Sequence, residues 1–334
     1  NALVIGTKRT VEKWRGELQK WGAKATVTYA EQFKKIPIRK WSALVVDEAD
    51  TFGSALFLKS RSQLSTALYK LIQAHPDMPV LLLTATPIRS VSWNLHSLLC
   101  FLGIYIDWKK WRTEFFSLER RPYLSRLAWL PKPDWRKRIR PYLEKYADIV
   151  LLRDCVDELP AVTEEIVTIK SEKFVNTEWE ASKAFFMEHR HEQKNKVKHI
   201  QEIGREYRKV LVVAYYVEQV ETITKSLKDR EVFMVHGGTK GQEQILKDAN
   251  EAEECYLIVQ ASLGVGWECP SFSCCVFASM SYAFRDWVQM KARIRRINDL
   301  HPIKLYYILA GRCDRGILKQ VQKGKDFSPP DWQL

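Results

Sequence analysis

Short, wholly apolar runs recur along this chain, and most give way to a stretch whose apolar residues repeat at helical spacing. A run that is apolar at every position suits a strand covered on both faces. Strands separated by helices pair in parallel, with the helices packed over the sheet. Residues 2–6, 25–29, 42–46 and 80–84 are predicted strands. Residues 10–21 form a predicted helix with Val11, Trp14, Leu18 and Trp21 on one face, and residues 63–74 form another. The alternation returns downstream, with strands at 210–214, 232–235, 255–260, 274–278 and 304–309. Helices at 219–228, 242–250 and 285–297, and a last one reaching about 323, separate or follow them. Residues 104–148 and 178–208 read as helical insertions, and the tail "FSPPDWQL" as an extended end. The fold class is α/β with two parallel sheets. A length of 334 residues suits two cores better than one.

The formal net charge of +13 points to a polyanionic partner, most often nucleic acid; the plainer alternative is a basic protein without one. The seven cysteines include no Cys-x-x-Cys pair and no Cys/His set at zinc spacing, which suits a reducing, intracellular setting. Cys274 and Cys275 are adjacent in an apolar run and are expected on opposite sides of one strand. The apolar runs are too short to span a bilayer, so no membrane role is expected, and no basic stretch at the start leads into a signal-like apolar segment.

Chemistry concentrates where predicted strands end, the edge at which open α/β sheets bind ligands. In "LVVDEAD", Asp47 and Glu48 follow a buried strand. One carboxylate suits a hard cation shared with phosphate oxygens, and a neighbouring one can orient and deprotonate a water. The plainer reading is a strand that stops where polarity begins. One strand–helix unit later, "LLLTATP" brings Thr84 and Thr86 to another strand end, where they can bond to the acids or to a nucleic-acid backbone. "QMKARIRRI" sets Gln289, Arg293 and Arg296 on one helical face; guanidinium groups there suit bidentate phosphate contact, and a solvated basic face is the alternative. The loop "SLGVGWE" can bring backbone N–H groups to a phosphate, although a plain turn has the same letters.

Taken in order, "ALVIGTKRTVEKW", "LVVDEAD", "LLLTATPIRSVSWNLHSLLCFLG", "VLLRDCVDELP", "VLVVAYY", "VHGGT", "SLGVGWE", "QMKARIRRI" and "LYYILAGRCDRGILKQV" resemble a superfamily-2 helicase core, and within it the Swi/Snf-type DNA translocases. The resemblance implies two RecA-like lobes: an N-terminal lobe over 1–103, a basic Trp-rich helical insertion and linker over 104–158, and a C-terminal lobe over 159–334 with a helical insertion at about 172–208. It implies an ATP-dependent motor on duplex DNA, with ATP and Mg²⁺ as cofactors. Asp47 would hold the magnesium ion and Glu48 would activate water. Gly266, Glu268 and Gln289 would lie against the nucleotide, and Arg293 and Arg296 would complete the site across the cleft. Thr84 and Thr86 would link nucleotide state to DNA contact. Thr7, Lys8 and Thr239 would touch the DNA backbone, as would the basic insertion through Lys109, Lys110, Arg112, Arg120, Arg121, Arg126, Arg136, Lys137, Arg138 and Arg140. For those charges a solvated helix face is the competing reading; for Trp108, Trp111, Trp129 and Trp135 it is the core of the insertion. Short insertions and the lack of an accessory reader module favour a minimal bacterial or phage-type translocase, cytoplasmic there and nuclear in a eukaryote.

Three departures accompany the resemblance. The family has Asn or Asp at the place of Glu268, and often Arg at the place of Gln244. The family's phosphate loop should precede the first strand, yet no G-x-x-x-x-G-K-[ST] occurs in the chain. The expectation is a first lobe incomplete at its N-terminus by roughly 30 residues, completed by a missing segment or a partner chain. Turnover should then be reduced, since loss of even one preorganised donor costs on the order of 100- to 1,000-fold. Two rival readings are an RNA helicase, suggested by the letters D-E-A-D, and an ATPase-dead nucleic-acid-binding scaffold.

Overall fold

The computed structural model describes residues 1–36, 40–53, 62–88, 93–120, 127–148, 160–169, 193–264, 266–280, 284–295 and 301–324. The chain divides into two compact units, Asn1–Ile149 and Val150–Asp331.

In the first unit, strands β1 (Ala2–Gly6), β2 (Ala25–Tyr29), β3 (Leu44–Val46) and β4 (Val80–Leu82) form a parallel sheet in the order β2-β1-β3-β4. Helix α1 (Val11–Lys20) makes the β1–β2 crossover, with Glu12 in its first turn and Lys20 in its last, each favourable against the helix dipole. The short α2 (Ala30–Phe33) follows β2. Helix α3 (Gln63–Gln73) starts at Ser62, whose Oγ accepts the Leu64 N–H at 3.2 Å. Leu3, Ile5, Leu44 and Val46 bury against Phe52, Leu68, Leu98 and Phe101, the last two from α4 (Trp93–Phe101).

Residues 104–148 depart from the helical expectation. Helices α5 (Trp108–Phe115) and α6 (Trp135–Tyr146) flank an antiparallel hairpin of β5 (Phe116–Arg120) and β6 (Leu127–Pro131), with Leu118 opposite Trp129. Phe116 and Leu118 alternate with Ser117 and Glu119, the period of two that a strand needs. Trp111 is fully buried among His96, Phe115 and Tyr142, with ring centroids 5.2, 4.4 and 5.2 Å away. Two further expectations in this unit are corrected. Trp21 is the C-cap of α1, one residue past the helix, and is 77% exposed. The expected buried strand at 80–84 is the edge strand β4, and Leu81 is 53% exposed.

The second unit holds a six-stranded parallel sheet in the order β7-β12-β11-β8-β10-β9. Its strands are β7 (Val162–Ile169), β8 (Lys209–Ala214), β9 (Glu231–Val235), β10 (Cys255–Gln260), β11 (Cys274–Phe277) and β12 (Ile303–Ala310). Helices α7 (Gln193–Gly204), α8 (Val217–Ser226), α9 (Gln242–Glu251), α10 (Phe284–Ile294) and α11 (Gly311–Gly324) pack over it. Leu211, Val213, Cys275 and Phe277 face one core, whereas Val210, Val212, Cys274 and Val276 face the other. Adjacent Cys274 and Cys275 therefore point to opposite sides, as the apolar run predicts. Strand β7 had no apolar run to announce it. It pairs through β12 at the sheet's border and exposes Glu164, Glu165 and Ile166.

A buried ion pair closes part of this unit. Lys196 on α7 donates from Nζ to Asp314 Oδ2 at 2.9 Å and to the Ala278 carbonyl at 2.7 Å. Asp314 Oδ2 also accepts the Ala310 N–H at 2.8 Å. One lysine thus joins α7 to the carboxyl ends of β11 and β12. No helix among the described residues is long and apolar enough to cross a membrane.

Candidate functional site

Parallel pairing brings the carboxyl ends of the first sheet to one edge. Ile5 aligns with Val46, and Val46 with Leu82, so Thr7, Asp47 and Thr84 follow three neighbouring strands. The chain runs from β1 outward to β2 and then returns to β3 on the other side of β1. The reversal point lies between β1 and β3, where open α/β sheets leave a ligand crevice. Thr7 and Asp47 stand at that point.

The acidic turn is held by backbone and side chains together. Asp47 N–H donates to the Ile5 carbonyl at 2.8 Å, and Ala49 N–H to the Leu83 carbonyl at 2.9 Å. Asp47 is half-buried; its Oδ1 accepts the Glu48 N–H at 3.0 Å and its Oδ2 accepts the indole Nε1–H of Trp14 at 2.9 Å. Glu48 has φ 49° and ψ 47°, a left-handed conformation that costs a side-chain-bearing residue about 1–2 kcal/mol. It is the single non-glycine positive φ among the described residues. Such strain persists only where the surroundings over-determine it.

The third carboxylate of the turn is Asp50, to which the sequence assigns no role. It is fully buried and binds the loop after β4. Thr84 Oγ1 donates to Asp50 Oδ1 at 3.1 Å, Thr86 Oγ1 donates to Asp50 Oδ2 at 3.4 Å, and Thr86 N–H donates to Thr84 Oγ1 at 3.1 Å. The acid that meets both threonines is therefore Asp50. Its signal in the sequence was its spacing: a carboxylate three residues after Asp47, within a turn that folds back on the sheet.

After β1, Thr7 and Thr10 close a turn. Thr7 N–H donates to Thr10 Oγ1 at 3.0 Å, and Thr10 N–H donates to the Thr7 carbonyl at 3.0 Å. Lys8 stands exposed on this turn. In the insertion, the exposed Arg138 is paired with Asp134 at 2.7 Å and Arg140 with Glu144 at 2.6 Å; Arg112 stacks 4.3 Å from the Trp129 ring centroid, and Arg136 lies 5.8 Å from that of Trp135. The guanidinium beside Asp134 holds that carboxyl below its ordinary range. Arg121 and Arg126 lie outside the described residues.

The second unit carries its own strand-end loops. Gly266 has φ 82° and is exposed, as is Glu268. Arg293 Nη1 donates to the Trp267 carbonyl at 2.6 Å, Arg293 Nε donates to the Gln289 carbonyl at 2.9 Å, and Cys269 N–H donates to the Arg293 carbonyl at 3.0 Å. Arg293 thus fastens the loop of Gly266 and Glu268 to α10. Gln289 is buried on the same helix, and Arg296 lies outside the described residues. After β9, Thr239 Oγ1 accepts the His236 N–H at 3.0 Å, and Gln242 Nε2 donates to the carbonyls of His236 and Thr239 at 2.9 and 3.0 Å. Gln244 bonds along its own helix to Asp248.

The donor set at Asp47 fits magnesium. Each carboxylate oxygen takes one hydrogen bond from protein, which leaves further lone pairs for a cation. Among the described residues no group of three or more His, Cys, Asp and Glu gathers round one point. Magnesium needs no such cage, because it takes one or two carboxylates and fills its other positions with phosphate oxygens and water.

The model of the SNF2-related domain family matches residues 27–248, and the chain belongs to that family. That span includes the acidic turn, the Thr84–Thr86 loop and the loop of Thr239. No curated protein matches. Among solved structures, the C-terminal part of the Fun30 ATPase domain is similar, with 14% identity over 38% of this chain and 45% of that one and a TM-score of 0.34. This chain spans less than half of that structure's length.

Proposed function

We propose that the chain is the motor portion of an ATP-dependent translocase that acts on duplex DNA. Asp47 would hold Mg²⁺ with the nucleotide phosphates, and Glu48 would orient and deprotonate the attacking water. The observation that carries this reading is the Asp50 bracket. The turn that presents Asp47 and Glu48 shares a buried carboxylate with Thr84 and Thr86, so a change at the nucleotide is felt in the next strand-end loop. Thr84 and Thr86 would pass that change to the DNA contacts, with Thr7 and Lys8 on the neighbouring turn. Thr239, Arg136 and Arg138 add backbone contacts, and the net charge of +13 suits the phosphate lattice of a duplex. Within the second unit, Gly266, Glu268, Gln289 and Arg293 are proposed as nucleotide contacts, Arg293 through the loop that it holds.

The test is ATP hydrolysis by the intact protein with duplex DNA, with duplex RNA and with neither, beside Glu48→Gln. DNA-stimulated turnover that falls at least about 100-fold in Glu48→Gln is expected. Stimulation by RNA in preference to DNA, or turnover indifferent to Glu48, overturns the reading.

A further inference from the structure

A single indole stands between the turn assigned to nucleic acid and the carboxylate assigned to magnesium. Trp14 closes the first turn of α1, four residues after Thr10, and its backbone N–H donates to the Thr10 carbonyl at 2.9 Å. Positions four apart share a helix face, so Trp14 lies along the same side as the Thr7–Thr10 turn. Its indole Nε1–H reaches across the strand ends to Asp47 Oδ2 at 2.9 Å, while Asp47 Oδ1 is fixed by the Glu48 N–H. The two bonds hold opposite oxygens of one carboxylate, which removes the freedom of the carboxylate to rotate about its terminal torsion.

Close approach of α1 to β1 makes this possible. A Cβ at Gly6 would lie 2.6 Å from Thr10 Oγ1 and 3.5 Å from Trp14 Cδ1. A Cβ at Gly6 would clash with the Thr10 hydroxyl that closes the turn and would rest in ordinary contact with the indole. By its spacing Trp14 belongs to an apolar stripe. In the structure Val11 is the buried member of that stripe, Trp14 is half-buried, and Trp21 is exposed. Packing alone therefore leaves the polar end of Trp14 unexplained, and the bond to Asp47 accounts for it.

We infer that Trp14 is a positioning residue for Asp47: it orients the carboxylate toward the cation and ties that orientation to the Thr7–Thr10 turn. Groups that hydrogen-bond to a metal-ligating side chain fix its direction, and losing one typically weakens metal binding by roughly 10- to 100-fold. The bond also runs in the other direction. A shift of the Thr7–Thr10 turn against nucleic acid moves the first turn of α1, and with it the indole that holds Asp47. This route is separate from the Asp50 bracket, which leads from the same acidic turn to Thr84 and Thr86. The inference rests on the assignment of Asp47 to the cation, and the experiment separates failure of the one from failure of the other.

The experiment uses Mn²⁺ as a paramagnetic stand-in for magnesium on the full chain. Free Mn²⁺ is measured by electron paramagnetic resonance with ADP present, for the unsubstituted chain, Trp14→Phe and Asp47→Asn. Trp14→Phe keeps an aromatic ring and deletes the N–H. The expected result is an apparent Mn²⁺ affinity at least about tenfold weaker in Trp14→Phe, lost in Asp47→Asn, with ADP binding in EDTA equal in all three. Affinity within about twofold of the unsubstituted chain in Trp14→Phe, together with loss in Asp47→Asn, overturns the role of Trp14 and leaves the cation assignment standing. Equal affinity in all three overturns the assignment of Asp47, and the inference with it. A second measurement needs no folded Trp14 variant. In the ¹H–¹⁵N spectrum of the unsubstituted chain, substoichiometric Mn²⁺ should bleach one indole cross-peak before the others, and should bleach none selectively in Asp47→Asn. Where the resonance titration shows Mn²⁺ binding that Asp47→Asn abolishes, absence of any selectively bleached indole refutes the contact.

Discussion

Replacing Lys196 by Met keeps the length of the side chain and removes its ammonium. The side chains of Lys196 and Asp314 are 4% and 2% exposed, so neither charge has water in reserve. The substitution deletes bonds of 2.9 Å to Asp314 and 2.7 Å to the Ala278 carbonyl and takes the lysine partner from a buried carboxylate. Breaking a buried pair by removing one partner costs about 3–5 kcal/mol. Asp314→Asn strands the ammonium instead and should cost a similar amount. In the double variant no buried charge remains. The amide oxygen introduced by Asp314→Asn can still accept the Ala310 N–H, and the principal loss is one carbonyl partner, about 1–3 kcal/mol. The two single costs should therefore fail to add, with a coupling of at least about 3 kcal/mol between residues in one network. Urea unfolding followed by circular dichroism gives the three values, and hydrogen exchange of the β12 amides assigns them to the second unit. A Lys196→Met cost below about 1 kcal/mol, or a double variant whose cost equals the sum, would refute the claim that this pair holds α7 to the strand ends.

Glu48→Gly and Glu48→Ala remove the same carboxylate, but only glycine is at ease at φ 49°. Relief of about 1–2 kcal/mol, less about 0.4–1 for the freer unfolded chain, leaves the glycine variant the more stable by about 0.8 kcal/mol at the middle of those ranges, and on the proposed role of Glu48 neither variant should hydrolyse ATP. Thermal melting of the two variants side by side measures the difference, and an alanine variant as stable as the glycine one contradicts the strain. His96 supplies a pH dependence. It is buried, its Nε2–H donates to the Ile106 carbonyl at 2.8 Å, and burial lowers its pKa below the ordinary 6.5. The unfolded chain therefore takes up a proton that the folded one refuses. Stability from this residue is full above about pH 6.5 and falls as the pH drops below it, by up to about 1.4 kcal/mol per pH unit. Urea midpoints at about pH 7.5 and about pH 5.0 should differ less in His96→Gln than in the unsubstituted chain.

The strands legible in the sequence are those whose every position meets a core. Residues 210–214 and 255–259 are apolar throughout because the second sheet is covered on both faces. Strand β7 is hidden for the same physical reason in reverse: "VTEEIVTI" lies at the sheet's border, and its carboxylates pair with Lys291 and Lys304. The hairpin of β5 and β6 is hidden by its composition. Trp and Arg say little about period, and the alternation in "FSLER" spans only five residues. At the site, strand ends and carboxylates are legible because chemistry there uses few residue types. The partners of those carboxylates are not. Nothing in the letters distinguishes a Trp14 that packs from one that donates to Asp47, nor an Asp50 on the surface from one that grips Thr84 and Thr86. Those distinctions come from the crossing of α1 over the sheet and from the 3-10 turn at Ala49–Phe52, both tertiary.

The placement of the thiols has a practical consequence. Cys100, Cys255, Cys269, Cys274 and Cys275 are all buried. Burial pushes the thiols of Cys100 and Cys255 up to about 11, and those of Cys274 and Cys275 higher still. Maleimides and iodoacetamides react with thiolates, which these side chains barely form near neutrality. With Cys155 and Cys313 replaced by serine, the molecule becomes a quiet background for a single introduced cysteine. A dye attached at Lys8→Cys would then report the Thr7–Thr10 turn alone, on the timescale of a catalytic cycle, with the native sulfurs left in place where the cores of the two units need their volume.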